Sequence, residues 1–282
     1  MLRRMCVSLA ALAIAAAPAL TALATAGTSA QAATARPAAV GAHVTVSHGA
    51  LRNGGTAVHL IKPGSEPFNA HGGIAHEAES TNWSGYAADS GTYTSVSATW
   101  VQPKGTCSGR SDLYSSFWVG LDGYSSDSVE QTGTDTDCDG STPSYYGWYE
   151  TYPNPSFNFG DSISPGDTIS ASVTYEGSNK YLLSLSDKTK GWTTTTTQTV
   201  SGAARSSAEV IIEAPCCTSS GGILPLADFG TVNFSSSVVD GASIGSQNPV
   251  EIIMIDSSGR DKDTVSSLSS NENFSATWVR SN

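Results

Sequence analysis

The sequence predicts an all-β protein, built as an antiparallel sandwich or barrel. From about residue 81 to residue 281, short runs rich in Thr, Ser, Val and Tyr alternate with turns rich in Gly, Asp, Asn and Pro. No long stretch shows the 3.6-residue apolar period of an amphipathic helix. Many short strands with polar turns are typical of β-sandwiches and barrels, and about 200 residues suffice for one sizeable core.

Twelve runs have the composition of strands, and no internal repeat relates them, so we expect a single domain over residues 77–282. The predicted strands lie near residues 82–88, 94–101, 113–121, 128–133, 144–152, 168–175, 179–186, 192–199, 207–213, 227–234, 249–256 and 273–280.

The first 76 residues differ from the rest. Residues 1–32 combine a basic start, an apolar run and a small-residue motif, which predicts a secretory signal peptide and an extracellular protein. The alternative is a membrane anchor, which Pro18 disfavours because it interrupts the apolar run. Residues 33–76 contain all five histidines and only one acid, Glu66. We expect this segment to be a basic pro-segment, the alternative being a disordered linker.

Charge separates the two parts of the chain. From residue 77 onward there are 24 acidic residues against 9 Lys and Arg, a formal charge of −15. Such a body repels phosphate, so we expect no nucleic-acid partner. It would attract the basic segment before it, which makes that segment the expected intramolecular partner. We expect no membrane anchor and a monomeric protein.

Four cysteines follow the signal peptide. In an exported domain an even number of cysteines suggests disulfides. We expect Cys107 to pair with Cys138, because both lie in loops that flank the same two predicted strands. Cys216 and Cys217 would then form a vicinal bridge or remain free thiols.

The absence of histidine after residue 76 restricts the chemistry of the domain. It excludes Ser–His–Asp and Cys–His catalysis and a His-based metal site. Catalysis is left to carboxylates, amides, hydroxyls and tyrosine, with no metal and no cofactor. Two-carboxylate chemistry stays open.

Four predicted strands mix aromatic with acid or amide side chains on one face, since alternate residues of a strand share a face. Acids are rarely buried without partners, so this pattern predicts a polar, aromatic groove. The alternative places the tryptophans in the core and the acids in solvent. The candidate groove residues are Trp118, Asp122, Gln131, Asp135, Trp148, Glu150, Tyr152, Glu209 and Glu213.

Several of these residues fall in motifs that resemble the glutamic peptidases (eqolisins, peptidase family G1). The similar stretches are 82–85 (NWSG), 96–103 (VSATWVQP), 118–123 (WVGLDG), 131–133 (QTG), 148–153 (WYETYP), 163–167 (ISPGD), 208–213 (AEVIIE) and 229–230 (FG). The resemblance covers most of residues 81–235 in the same order.

This resemblance implies a secreted acid endopeptidase on a lectin-like β-sandwich, a concanavalin A-type jelly roll, that acts on polypeptides. It implies that Gln131 and Glu213 are the catalytic pair and that the other groove residues line or support the site. The cysteine spacing and Pro215 depart from the pattern of the fungal members. In chemical terms, Glu213 can take a proton from water, while the amide of Gln131 can stabilise an oxyanion.

Two other functions fit an aromatic, acid-lined groove. One is a carbohydrate-binding or glycoside-hydrolysing module, in which Glu209 or Glu150 would act with Glu213 as the second carboxyl. The other is a non-catalytic surface adhesin.

Overall fold

A computed structural model describes the backbone of residues 45–46 and all of residues 77–109, 112–216 and 222–282. The predicted signal peptide and nearly all of the predicted pro-segment lie outside these ranges. Within them, the structure contains no helix with the length and hydropathy that a membrane span requires.

The described residues form seventeen strands and one short 3₁₀ helix, Ile244–Gln247. In chain order the strands are β1 (Thr45–Val46), β2 (Glu77–Ser80), β3 (Trp83–Ala88), β4 (Ser95–Val101), β5 (Leu113–Leu121), β6 (Val129–Asp139), β7 (Thr142–Tyr152), β8 (Phe157–Ser162), β9 (Thr168–Gly177), β10 (Lys180–Asp187), β11 (Trp192–Thr199), β12 (Ala208–Glu213), β13 (Thr231–Val239), β14 (Ala242–Ser243), β15 (Val250–Met254), β16 (Asp263–Val265) and β17 (Phe274–Trp278).

These strands form two sheets that pack as a sandwich, which confirms the predicted fold class. The larger sheet has the order β1-β8-β7-β6-β5-β12-β3-β15-β2. The smaller has the order β11-β10-β9-β4-β13-β17-β16, with β14 paired to β13. One pair departs from the antiparallel pattern: β15 and β2 pair in parallel, at the edge of the larger sheet. The other pairs of named strands are antiparallel, as predicted.

All twelve predicted runs contain a strand, but the sequence missed several short ones. β8 was missed because Gly160 and Asp161 in its middle have the composition of a turn. β2 (EAES) and β16 (DTV) are short and charged, so neither has a clear apolar alternation. The missed strands lie at or next to sheet edges, where burial imposes the weakest sequence pattern.

The central strands of the larger sheet are buried on both faces. On the inner face Phe117, Val119 and Leu121 join the sandwich core with residues of the smaller sheet. On the other face a second apolar cluster includes Trp118 and Ile211. All nine residues of β5 are therefore buried, although it alternates between the two faces.

The predicted Cys107–Cys138 disulfide is present, with the two Cα atoms 5.4 Å apart. It ties the loop before β5 to the end of β6. Cys216 is also disulfide-bonded, so the free-thiol alternative was wrong for this residue. Cys217 lies outside the described residues.

Candidate active site

The outward side of the larger sheet, here called the groove face, carries three cross-strand rows of side chains from β7 to β3. Neighbours in a row are directly paired residues of adjacent strands, so their Cβ atoms lie about 5 Å apart. The first row is Glu150, Gln131, Gly120, Glu209 and Ala87; the second is Trp148, Gly133, Trp118, Ile211 and Gly85; the third is Tyr146, Asp135, Ser116, Glu213 and Trp83.

Glu213 ends β12, and its carboxylate is fully buried in the third row. The indole Nε1 of Trp118 donates to its Oε2 at 2.8 Å, and Asn82 Nδ2 donates to its Oε1 at 3.3 Å. The Trp118 ring is fixed in turn by an edge-to-face contact with Trp83, with 4.7 Å between ring centroids. Both oxygens of Glu213 therefore accept N–H donors, which holds the group in one orientation.

Gln131 lies in β6, in the first row, and is also fully buried. Its Nε2 donates to Oε2 of Glu150, directly opposite on β7, at 2.7 Å. Its carbonyl oxygen Oε1 has no hydrogen-bond partner among the described residues. A buried amide oxygen without a partner is costly, so this atom is suited to a water or a substrate donor.

Asp135, in the third row, forms a hydrogen bond with Trp148 of the second row. Trp148 Nε1 donates to its Oδ1 at 2.6 Å. The Tyr146 hydroxyl lies 2.8 Å from its Oδ2 and 2.6 Å from Oδ2 of Asp137. Asp135 and Asp137 are both buried, so this cluster belongs to the interior of the groove face and not to a solvated edge.

Glu209 differs from Glu213, although both lie on the groove face of β12. Burial raises the pKa of Glu209 well above its usual range, and the Asp122 and Glu130 charges raise it further. Hydrogen bonds from Ser207 and the Tyr124 backbone act in the opposite direction. Glu209 is thus expected to be a neutral acid under conditions in which an ordinary carboxyl ionises.

Glycines allow the aromatic rings to lie close to the sheet. A Cβ on Gly133 would lie 2.2 Å from the Phe117 carbonyl oxygen and 2.5 Å from Cβ of Trp118. A Cβ on Gly120 would lie 2.8 Å from the Trp118 ring. The indole of Trp118 therefore has its position only because both of its neighbours lack a side chain.

Asp122 does not continue the groove face as predicted, because β5 ends at Leu121 and Asp122 has a φ of 67°. Its carboxylate accepts the backbone N–H groups of Arg205 and Ser206 at 2.6 and 2.8 Å. Asp122 thus anchors the loop that leads into β12. Tyr152, by contrast, is half-buried and packs on the groove-face cluster as its parity predicted.

The structure brings most of the predicted residues onto one face, but it does not join the two central ones directly. No hydrogen bond connects Gln131 to Glu213; β5 lies between their strands, and Trp118 lies between their rows. A bound water and substrate would have to span that gap. The arrangement presents an oriented carboxylate, an amide and aromatic walls, which suits an addition of water to a carbonyl.

Four groove-face residues were missed by sequence reasoning. Asn82 was quoted only as part of a motif, and its contact with Glu213 depends on pairing across 131 positions. Asp137 and Tyr146 share the parity of Asp135 and Trp148, so extending the alternation by one step would have found them. Ser116 has the parity of Trp118, and its buried hydroxyl has no partner among the described residues.

Comparison with known proteins gives consistent results. The sequence pattern of the peptidase A4 family matches residues 81–278. Similar proteins include aspergillopepsin-2 of Aspergillus niger, 29% identical, and scytalidopepsin B of Scytalidium lignicola, 34% identical. Each alignment covers 58% of this chain and 66% of the relative, so the chain spans just under two thirds of these curated proteins.

Solved structures are similar over the sandwich. Scytalido-glutamic peptidase with a transition-state analogue inhibitor superposes with a TM-score of 0.62 at 30% identity, covering 71% of this chain and 98% of the other. Aspergilloglutamic peptidase from Aspergillus niger superposes with a TM-score of 0.51 at 26% identity, covering 59% of this chain and 99% of the other.

Proposed function

Because the chain belongs to the peptidase A4 family of glutamic peptidases, we propose that it is an acid endopeptidase that cleaves polypeptides with Gln131 and Glu213. The observation that carries the proposal is the buried Glu213 carboxylate, oriented by two N–H donors on the same face as the Gln131 amide. No covalent nucleophile and no cofactor is needed for this chemistry.

In the proposed reaction Glu213 acts first as general base. It takes a proton from a water that attacks the scissile carbonyl, and it later delivers that proton to the leaving amine. Gln131 donates from its amide to the developing oxyanion, while its carbonyl oxygen orients the water. The 2.7 Å bond from Gln131 to Glu150 supports this role, because it fixes the side chain before substrate binds.

The aromatic groove side chains form the proposed substrate walls. Trp118 and Trp148 are buried within the groove face, and Tyr152 is half-buried beside them. Apolar walls around a carboxylate exclude water, which strengthens the electrostatic interactions that stabilise the transition state. We expect side chains of a polypeptide substrate to pack against them.

A glycosidase fits the contacts of the groove less well. A second carboxyl would have to work beside Glu213. Glu209 is fully buried, with one carboxyl oxygen bonded to no described residue, and Glu150 accepts the Gln131 amide. Neither forms an exposed pair with Glu213 across a sugar-sized gap.

The test is a side-by-side assay of the secreted protein. Casein at about pH 3–4 and a panel of polysaccharides are incubated with wild-type protein and with the Glu213→Gln variant. The proposal predicts casein fragments from wild type, none from the variant, and no sugar release. Cleavage of a polysaccharide without cleavage of casein would replace it with the glycosidase function.

Secretion and maturation belong to the same proposal. Residues 1–32 would direct export, and residues 33–76 would form a pro-segment held to the acidic domain by Arg36, Arg52 and Lys62. The pairing of β1 with β8, next to β7, supports such docking. A synthetic pro-segment should inhibit the mature domain at neutral pH, and inhibition should weaken with salt and as carboxyls protonate near pH 4. Inhibition that does not respond to salt would contradict this.

A further inference from the structure

An open cavity of about 450 Å³ lies beyond the C-terminal ends of β2 and β15, which pair in parallel at the edge of the larger sheet. Thr81, which follows β2, and the loop between β15 and β16 supply much of its lining. None of its described lining residues belongs to the three rows of the groove face. A cavity of this volume can hold a small molecule.

Lys262 lines this cavity and is only 3% exposed. Its backbone is fixed: its N–H donates to the Met254 carbonyl at 2.7 Å, and its carbonyl accepts the N–H groups of Val279 and Arg280 at 2.9 and 3.0 Å. Its ammonium, by contrast, has no hydrogen-bond or ion-pair partner among the described residues. The ammonium is not sealed from solvent, so its remaining exposure is to the cavity. A buried cation without a partner is costly, and an anion that enters the cavity would offset that cost.

Asp256, the acid that also lines the cavity, is already bonded to other groups. Its Oδ2 accepts Arg260 Nε at 2.7 Å, and its Oδ1 accepts the backbone N–H groups of Ser258 and Arg260 at 2.7 and 3.1 Å. The Arg260 side chain is 59% exposed, which leaves other N–H groups of its guanidinium available to a ligand. The charged lining is therefore Lys262, Arg260 and Asp256, a formal charge of +1 in a domain whose formal charge is −15.

The surroundings of Lys262 favour an anion in acidic solution. Burial lowers the pKa of Lys262 to about 8, although the Asp263 and Asp256 charges act in the opposite direction. Burial also raises the pKa of Asp263, which accepts the Ser84 hydroxyl, to about 7. Asp261, on the other side of Lys262 in the chain, is exposed. Below pH 7 Lys262 is thus charged while Asp263 is mainly neutral, and both groups change in the direction that repels an anion as pH rises.

Two isoleucines give the cavity an apolar wall, since Ile223 and Ile255 line it together with the cations. We propose that the cavity binds a small carboxylate that carries an apolar group. The carboxylate accepts from Lys262 and Arg260, and the apolar group packs against the isoleucines. The C-terminal residue of a short peptide and a free aliphatic acid share this chemistry. The inference goes beyond the proposed peptidase function and does not depend on it.

The test measures the binding of small probes to the full chain at about pH 5.5 by isothermal titration calorimetry. N-acetyl-leucine has both features, N-acetyl-leucine amide lacks the charge, and acetate lacks the apolar group. We expect N-acetyl-leucine to bind at least about tenfold more tightly than the other two. Its affinity should fall severalfold at pH 8, where Lys262 is partly uncharged. Tighter binding of N-acetyl-leucine than of 4-methylpentanoate, which lacks the amide, would identify a peptide as the source, and the reverse a free acid.

Lys262→Met removes the ammonium and keeps a long side chain, so it should lower the affinity for N-acetyl-leucine at least about tenfold. Without ligand this variant should be no less stable than wild type, because it replaces an unpaired buried charge with an apolar group. Lys180→Met, at an exposed position, is the matched control and should bind as wild type does. Glu213→Gln should also bind as wild type does, because Glu213 lies on the groove face and not in the cavity.

Equal binding of N-acetyl-leucine and its amide would overturn the inference, and so would unchanged binding by Lys262→Met. Acetate that binds as tightly as N-acetyl-leucine would contradict the apolar part of the site. Loss of binding in Glu213→Gln would place the ligand in the groove and not in the cavity. If Lys262→Met does not fold, Lys262→Gln takes its place, and the comparison of acid with amide on wild type still decides. A wild-type protein that cleaves no peptide would contradict the proposed function and leave this binding test unaffected.

Discussion

Glu130 and Gln131 are neighbours in β6, yet they serve opposite faces of one sheet and meet opposite environments. Gln131 lies on the groove face and donates to Glu150. Glu130 lies on the sandwich face, fully buried, and neither of its carboxyl oxygens has a hydrogen-bond partner among the described residues. Tyr181 of the smaller sheet and Asp122 lie near Glu130.

The difference shows that one sheet can bury acids in two ways, with hydrogen-bond donors or without them. On the groove face Glu213 and Asp135 each accept an N–H group from a tryptophan, as buried polar groups usually do. On the sandwich face Glu130 receives nothing, and burial, with the Asp122 charge, raises its pKa to about 8. Ionising a buried acid that has no hydrogen-bond partner costs stability, whereas N–H donors offset part of that cost.

The largest expected effect concerns Glu130 and pH. The folded protein holds this proton up to about pH 8, whereas an ordinary glutamate releases it near pH 4.5. The contribution of this proton to the free energy of unfolding is therefore complete below pH 4.5 and is lost as pH rises towards 8. The loss amounts to roughly 4 kcal/mol. Urea unfolding of wild type and Glu130→Gln, followed by circular dichroism at pH 4 and pH 8, measures it.

Glu130→Gln should have a much flatter dependence of unfolding free energy on pH than wild type, whatever its absolute stability. The exposed Glu176→Gln variant is the control and should retain the wild-type slope. Equal slopes for Glu130→Gln and wild type would show that the two faces do not differ in this way.

The next effect concerns the groove-face neighbour. Gln131→Ala should lower kcat by about 10²–10³-fold, which is the usual loss when one oxyanion donor is removed. Steady-state kinetics on a defined peptide, with circular dichroism as a check of folding, measures the change. A folded Gln131→Ala protein within threefold of wild type would remove Gln131 from the mechanism.

A smaller effect tests the donors that distinguish the groove face. Trp118→Phe keeps an aromatic ring but removes the N–H that holds Glu213 Oε2 at 2.8 Å. Hydrogen bonds to charged groups contribute about 1.5–3 kcal/mol, so we expect kcat/KM to fall by roughly ten- to a hundredfold. Trp100→Phe is the control, since that indole donates to Thr134 in the sandwich core. Equal effects of both variants on activity would mean that only packing is involved.

The last prediction is that inhibitors of other catalytic mechanisms have no effect on activity. Activity should survive chelators, serine-directed reagents and thiol-directed reagents, because residues 77–282 contain no histidine to support those mechanisms. Peptide cleavage is measured before and after each treatment. Loss with a chelator, restored by adding a metal ion, would contradict a carboxylate and amide mechanism.

Much of the site could be predicted from alternation alone. The period of two in β5, β6, β7 and β12 correctly separated Trp118, Gln131, Trp148 and Glu213 from the core residues between them. The alternation did not predict the position of Asp122, because β5 ends one residue earlier, at Leu121, and Asp122 has a left-handed backbone conformation. Alternation alone does not show where a strand ends.

The rest depended on long-range pairing. β12 lies between β5 and β3, and only this order brings Asn82 to Glu213. Pairing across such distances leaves no local signal in the sequence. Glu130 was missed for a related reason: a glutamate on the core face of a strand contradicts the usual pattern, and nothing in its neighbours indicates whether it has a partner.

The most direct test of the account compares two glutamates of β12 that share the groove face and complete burial. Glu213→Gln and Glu209→Gln are assayed on the same peptide from pH 2.5 to 6, with circular dichroism to confirm folding. Because burial raises the pKa of Glu209, glutamine resembles its neutral form, and we expect that variant to retain activity within about tenfold. We expect Glu213→Gln to lose at least about 10³-fold. A folded Glu213→Gln protein with substantial activity, or equal losses in both variants, would contradict the assignment of Glu213 as the catalytic carboxylate.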